Sequence, residues 1–141
     1  MILRFLDKYR DIGLLILRLG LGAMFITHGS MKLFSGSKVW ADIGAMGMGA
    51  VGITSFPVFW GFMAACAEFF GGIAFAAGFF FRPACLFLVI NMTMASLYHL
   101  TNHQGFQPAS HAIEDGIVFL GFILIGPGKY SLDELIRFKK E

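Results

Sequence analysis

Long apolar segments alternate with short polar or glycine-rich stretches along the chain. Four of them, at residues 12–34, 57–81, 84–101 and 111–126, are near the roughly 20 residues that a helix needs to cross a bilayer. A helix is favoured there because it satisfies its own backbone hydrogen bonds in lipid. The pattern therefore predicts an all-α fold with a single domain over residues 1–141, an integral membrane four-helix bundle whose closely connected helices run antiparallel.

Three segments outside these spans carry weaker signals. Residues 1–11 alternate apolar and charged side chains, which suits a short amphipathic lead-in at the membrane interface. Residues 35–55 are rich in Gly, Ser and Ala, and we expect an extramembrane loop that either folds back as a short helix or re-enters the bundle. Ser131 and Glu134 have the spacing of a capping box, so we expect a short C-terminal interfacial helix.

Composition supports the membrane assignment. Of the 141 residues, 57% are hydrophobic and 14% are charged, whereas a soluble domain carries about 25% charged residues. The net charge is +2, and the basic residues lie toward the two chain ends instead of forming one patch, so we expect no nucleic-acid partner. No small-residue cleavage site closes the first apolar run, and we expect that span to be retained.

The basic residues also predict an orientation. They fall mainly on one side of the four spans: Arg4, Lys8, Arg10, Arg82, Lys129, Arg137, Lys139 and Lys140. Only Lys32 and Lys38 lie toward the other side. By the positive-inside rule, we expect a multi-pass protein of the bacterial inner membrane with both termini in the cytoplasm.

The first span carries three basic side chains, Arg18, His28 and Lys32, among apolar neighbours. A charge inside a bilayer costs about 2.5 kcal/mol or more, so such groups usually face the interior of a bundle. At about 100° per residue, Lys32 lies roughly 40° from His28, and Arg18 roughly 80° from it. The three side chains therefore share one stripe, which we expect to face the other helices.

The remaining polar groups of the spans supply candidate partners. Glu68 and Asn91 fall near the midplane, whereas His99, Glu114 and Asp115 fall toward the outer end. We expect Glu68 to pair with Arg18 or His28, and Lys32 to pair with Glu114 or Asp115. These pairs are compatible with a purely structural role in helix packing and with a polar cavity that opens to the outer face.

Cysteine and histidine spacing indicates no metal or thiol redox site. Cys66 and Cys85 are far apart and form no C-x-x-C motif, so each is expected to pack as a small apolar residue. His99 and His103 are four residues apart, and His28 or His111 could complete a set of three ligands. We predict no metal, however, because His103 falls where the third span is expected to fray.

Motifs across most of the chain resemble those of the DoxX family of small four-span membrane proteins of bacteria and archaea. The first span has R-x-G-x-G and H-G-x-x-K, the second has A-E-x-x-G-G followed by G-x-x-x-R, the fourth has Glu114, and the chain ends with G-P-G-x-x-S-L-D. The resemblance implies the four-helix fold. It also implies a link to quinone-dependent oxidoreductases, to quinone or catechol stress, and to membrane complexes that respond to oxidative stress.

The leading hypothesis is that the bundle binds a quinone-like small molecule as part of membrane redox or detoxification chemistry, with no covalently bound cofactor. Donors on the first span would bind its carbonyl oxygens and Glu68 would tune their charge; Arg18 would mainly lock the bundle. The candidate ligand-binding residues are Arg18, His28, Lys32, Glu68, Asn91, His99 and Glu114.

The alternative hypothesis is a non-catalytic membrane subunit whose polar core is structural and which recruits a redox enzyme. Apolar aromatic faces on the helices are compatible with a homodimer and equally with direct contact with the lipid bilayer. A transporter is less favoured, because no inverted repeat is visible in the sequence and no span is clearly broken at the midplane.

Overall fold

The computed structural model describes residues 3–102 and 105–139, and these form helices joined by short turns. A 3₁₀ helix at Arg4–Tyr9 precedes six α-helices. They are α1 (Arg10–Leu33), α2 (Ser37–Gly49), α3 (Pro57–Ala77), α4 (Phe81–Thr101), α5 (Phe106–Ile125) and α6 (Leu132–Phe138). Within the described ranges, α1, α3, α4 and α5 are long and apolar enough to cross a membrane, which confirms the predicted fold class.

The four spanning helices pack around a core of phenylalanine rings. Phe75 on α3 is fully buried, and its ring centroid lies 5.1 Å from those of Phe81 on α4 and of Phe119 and Phe122 on α5. Phe25 on α1 meets Phe119 edge to face at 4.9 Å. Because one aromatic cluster touches all four helices, it closes them into a bundle.

The bundle has two ends, which we name after the basic residues of α1. At the Arg18 end, α1 and α4 begin, α3 and α5 finish, and α6 follows. At the Lys32 end, α1 and α4 finish, α3 and α5 begin, and α2 packs against the outside of the bundle.

Two helices start earlier than the hydrophobic pattern indicates. The gap between the predicted spans 57–81 and 84–101 implies a turn at Arg82–Pro83. That turn is wrong, because α4 already begins at Phe81 and Pro83 lies in its first turn, where a missing N–H breaks no helical bond. The turn lies at residues 78–80 instead, where Gly78 ends α3 with a φ of 66°. Similarly, α5 begins at Phe106 and takes Pro108 into its first turn.

Helix α2 is the first of the two conformations expected for residues 35–55, a short helix that folds back against the bundle. It does not re-enter the bundle; it folds back as a 13-residue helix that packs mainly on α3 and also touches α4. The backbone of α2 at Trp40 meets Gly61 of α3, and Gly44 of α2 meets the Pro57 carbonyl, so a methyl group on either glycine would collide with main-chain atoms. The Trp40 indole Nε1 also donates to the Lys32 carbonyl oxygen at 2.9 Å, which ties α2 to the end of α1.

Candidate functional site

A three-residue polar cluster lies inside the bundle where α1, α3 and α4 meet. The Glu68 carboxylate on α3 is 3% exposed, and its Oε1 accepts hydrogen bonds from Lys32 Nζ at 2.5 Å and from Asn91 Nδ2 at 2.8 Å. The Lys32 side chain is 37% exposed, so the ion pair has one open end. The cluster therefore connects a buried acid to the surface of the bundle.

The crossing of α1 over α3 places Lys32 beside Glu68. Gly29 lies directly against the backbone of Glu68 and Phe69, and Lys32 follows one turn later on α1. Farther along, Gly22 lies against Gly72 and Ala76, so the two helices are antiparallel with a register fixed by small residues.

This register explains why the expected ion pairs are wrong. Arg18 lies eleven residues from Gly29, or about 16 Å along the helix axis, and its guanidinium donates to carbonyls near the end of α3 instead of to Glu68. His28 is near the level of Glu68, but its side chain is exposed. Lys32 binds Glu68 and not Glu114 or Asp115.

The second oxygen of the Glu68 carboxylate, Oε2, has no hydrogen-bond partner in the part of the chain that the structure describes. Among the residues that the structure describes, Glu68 Oε2 is the one buried side-chain oxygen or nitrogen atom that makes no hydrogen bond. An unsatisfied buried polar atom costs about 1–3 kcal/mol, and such atoms are uncommon in native proteins. Oε2 is therefore positioned to accept a hydrogen bond from a group outside the described chain.

Arg18 has a structural role, as expected. Its guanidinium is 1% exposed and donates to four carbonyl oxygens. Nε binds Phe75 at 3.2 Å and Nη2 binds Ala76 at 2.8 Å, while Nη1 binds Pro127 at 2.7 Å and Tyr130 at 2.9 Å. It thus joins the C-terminal carbonyls of α3, where the helix dipole favours a cation, to the loop that precedes α6.

Two acidic residues at the Arg18 end make hydrogen bonds that the charge pattern did not predict. The Asp133 carboxylate accepts from the backbone N–H groups of Phe80 and Phe81 at 2.9 Å and so caps the start of α4. Asp11 Oδ1 accepts from the Lys129 N–H at 3.0 Å. The predicted short C-terminal helix is confirmed, and Ser131 caps its start, since the Glu134 N–H donates to Ser131 Oγ at 3.3 Å. Lys129, Ser131 and Asp133 lie within the G-P-G-x-x-S-L-D motif, whose spacing was the available signal, whereas Asp11 lies outside it.

The other predicted site residues lie apart from the Glu68 cluster. Glu114 and His28 are exposed, and Asp115 is half-buried. His99 is half-buried, with its ring centroid 5.2 Å from that of Tyr98. His103 lies outside the described residues. Within the described ranges no three His, Cys, Asp or Glu side chains converge as metal ligands, and Cys66 and Cys85 are free.

Comparison with known proteins places these features in context. The DoxX family model matches residues 13–101, which include Arg18, Lys32, Glu68 and Asn91. Inner membrane protein YqjF of Escherichia coli is 29% identical over 140 residues, which cover 95% of this chain and 99% of that protein. An uncharacterized protein of Haemophilus influenzae is 31% identical over 141 residues, covering 96% of this chain and 98% of that protein. No solved structure gives a significant match.

Proposed function

The chain belongs to the DoxX family of inner membrane proteins, and from this premise we propose that it binds a quinone-like small molecule at the Lys32–Glu68–Asn91 cluster. The observation that carries the proposal is the unpartnered Oε2 of a carboxylate buried among apolar helices. Such a ligand would take part in membrane redox or detoxification chemistry, with the ligand or a partner enzyme supplying the electron carrier. No thiol pair is available for this in the described chain, since Cys66 and Cys85 are free.

The chemistry of the cluster suits both oxidation states of a quinone. The Lys32 ammonium has three N–H donors, and one is used by Glu68 Oε1, so two remain for the carbonyl oxygen of an oxidised ring. The free Glu68 Oε2 accepts from the hydroxyl of a reduced ring. Asn91 holds the carboxylate in place through Oε1 and leaves Oε2 available.

Glu68→Gln tests the proposal, because it keeps the shape of the side chain and removes the charge. One charge-assisted hydrogen bond contributes about 1.5–3 kcal/mol, so quinone binding should weaken by roughly tenfold or more. The measurement is the molar ratio of quinone to protein after gentle purification, by extraction and mass spectrometry, together with titration of a soluble short-chain quinone. Glu114→Gln is the matched control, because Glu114 is an exposed carboxylate on another helix.

The result also separates the two hypotheses for this protein. If Glu68→Gln and wild type retain equal amounts of quinone, or if both contain only bulk phospholipid, the quinone proposal is wrong. A Glu68→Gln protein that loses stability in detergent under those conditions would favour the non-catalytic subunit.

We further propose that the Arg18 end faces the cytoplasm. This end carries most of the described basic residues, including Lys8, Arg10, Arg82, Lys129, Arg137 and Lys139, whereas Lys38 lies near the other end. The positive-inside rule therefore supports an orientation with the Arg18 end in the cytoplasm.

Labelling of one introduced cysteine at a time in the full chain checks this orientation, because both Lys38 and Lys129 are exposed. A membrane-impermeant maleimide applied to intact spheroplasts should label Lys38→Cys, and it should label Lys129→Cys only after permeabilisation. The native Cys66 and Cys85 lie within α3 and α4, and wild-type protein gives the background. The reverse labelling pattern would contradict the proposed topology.

A further inference from the structure

A groove of about 550 Å³ lies at the Lys32 end between α2 and the last turn of α4, separate from the Glu68 cluster. This volume falls within the range of small-molecule sites. The side chains and backbone that line it are Asp42, Ala45, Met46, Gly49, Ala50, Tyr98, Thr101 and Asn102. Small residues on α2 leave the space, and the polar groups come from both helices.

Helix C-termini converge on this groove from two directions. Helix α2 ends at Gly49 with Ala50 as its cap, and α4 ends at Thr101 with Asn102 as its cap. All four of these residues line the groove. A helix C-terminus carries a partial negative charge of about half an electron, so two of them together favour a cation.

Asp42 adds a full negative charge to the same place. Among the described residues that line the groove, Asp42 is the one acidic side chain, and none is Lys or Arg. Its carboxylate makes no hydrogen bond or ion pair with any residue in the described part of the chain, including Lys38 one turn earlier on α2. An anionic ligand is therefore disfavoured, and a ligand that donates hydrogen bonds is favoured.

The neighbouring polar side chains also present acceptors. Thr101 Oγ1 donates to the Leu97 carbonyl at 2.8 Å, and Asn102 Nδ2 donates to the Tyr98 carbonyl at 2.9 Å. Their remaining lone pairs, on Thr101 Oγ1 and Asn102 Oδ1, stay available to accept. Tyr98 lines the same groove with an aromatic ring, which attracts a cation placed over its face.

The walls of the groove are held in place before any ligand arrives. Helix α2 is packed backbone to backbone on α3 at Gly44 and Gly61, and Trp40 ties it to the end of α1. Its contact with α4 is much less extensive, which leaves the groove open along that seam. Binding here needs no helix rearrangement, which keeps its entropic cost low.

We propose that this groove binds a primary ammonium group, whose three N–H donors match the Asp42 carboxylate and the acceptors of Thr101 and Asn102. The groove lies at the end of the spanning helices, where the headgroup region of a bilayer is expected. The ammonium can therefore come from an aminophospholipid such as phosphatidylethanolamine or from a soluble amine. This inference is independent of quinone binding at Glu68.

Two measurements on the purified full chain distinguish a lipid from a soluble amine as the source of the ammonium group. Native mass spectrometry compares retention of phosphatidylethanolamine with phosphatidylcholine, which has the same phosphate but no N–H donors on its cation. Titration calorimetry in detergent measures binding of putrescine. We expect one of the two amines to bind, and Asp42→Asn to weaken that binding by roughly tenfold, because a hydrogen bond to a charged group is lost.

Asp7→Asn is the control, since it removes an equal charge from an exposed position before α1, at the opposite end of the bundle from the groove. A preference for phosphatidylethanolamine that disappears in Asp42→Asn identifies the lipid as the source, and putrescine binding that disappears identifies a soluble amine. The proposal is overturned if neither amine binds, if phosphatidylcholine binds as well as phosphatidylethanolamine and putrescine does not bind, or if Asp42→Asn binds like wild type.

Discussion

Arg18→Ala is expected to destabilise the protein by about 3–5 kcal/mol, the usual cost of removing a buried, hydrogen-bonded charge. The guanidinium is 1% exposed and is bonded to the carbonyl oxygens of Phe75, Ala76, Pro127 and Tyr130. Alanine would remove the guanidinium donors from these carbonyls, of which Phe75 also accepts from the Gly78 N–H, and would open a cavity at the Arg18 end. The loop before α6 would also lose its attachment to the end of α3.

Close packing around Gly78 limits how far the structure can relax after the Arg18 side chain is removed. Gly78 has a φ of 66°, and a Cβ built there would lie 2.7 Å from Arg18 Nη2 and 2.5 Å from Ser131 Cβ. The turn, the guanidinium and the start of α6 are thus packed against one another. Arg18→Lys keeps the charge, but a single ammonium with three donors cannot reach four carbonyls, so we expect a smaller but clear loss of stability.

Reversible unfolding by SDS in mixed micelles, followed by circular dichroism, measures this effect. Arg137→Ala is the matched control, because Arg137 is an exposed arginine on α6 and its loss should change the free energy of unfolding by less than about 0.5 kcal/mol. Equal unfolding curves for Arg18→Ala and Arg137→Ala would show that the carbonyl network does not stabilise the bundle.

The sequence predicts the spans and the structural role of Arg18 because both follow from short-range physics. Length and hydropathy suffice to identify α1, α3, α4 and α5 as membrane helices, and an arginine among apolar residues must find acceptors. The sequence does not predict the partner of each polar group, because the pairing depends on the register in which one helix packs along the next. The close contact of Gly29 with Glu68 and Phe69 fixes that register, and it places Lys32 instead of Arg18 beside Glu68.

Long-range contacts account for the other differences. The glycine-rich composition of residues 35–55 leaves open whether they fold back as a short helix or re-enter the bundle. Gly44 of α2 and Gly61 of α3 allow the two backbones to approach closely, so tertiary packing selects the helix despite its weak propensity. The early start of α4 depends on the Asp133 carboxylate, which lies more than fifty residues later in the chain. The groove around Asp42 likewise depends on where α2 meets α4.

Gly29→Ala is expected to destabilise the protein by about 1–3 kcal/mol through overpacking. A Cβ at this position would lie 2.7 Å from Phe69 Cα and 2.8 Å from the Glu68 carbonyl carbon, and closer still to Phe69 N. These are main-chain atoms, so no side-chain rotation can relieve the collision. Helix α1 must move away from α3 at the level of the Lys32–Glu68 pair.

Gly20→Ala is the control within the same helix, because a Cβ at Gly20 meets no atom within 4 Å. Both variants add one methyl group to a glycine of α1, so a difference between their SDS unfolding free energies isolates the contact with α3. Gly20→Ala should stay within about 0.5 kcal/mol of wild type. A Gly29→Ala protein that unfolds like Gly20→Ala would show that α1 and α3 are not closely packed at this crossing.

Combining each glycine variant with Glu68→Gln tests whether this crossing holds the polar cluster together. Since Gly29 sets the distance between α1 and α3, separating the helices also weakens the Lys32–Glu68 bond, and the two losses should overlap. We therefore expect Gly29→Ala and Glu68→Gln to be non-additive by about 0.5 kcal/mol or more, the size typical of residues in contact. Gly20→Ala with Glu68→Gln should be additive, because a methyl group at Gly20 leaves the crossing unchanged. If both combinations are additive, the position of Lys32 beside Glu68 does not depend on the close approach at Gly29.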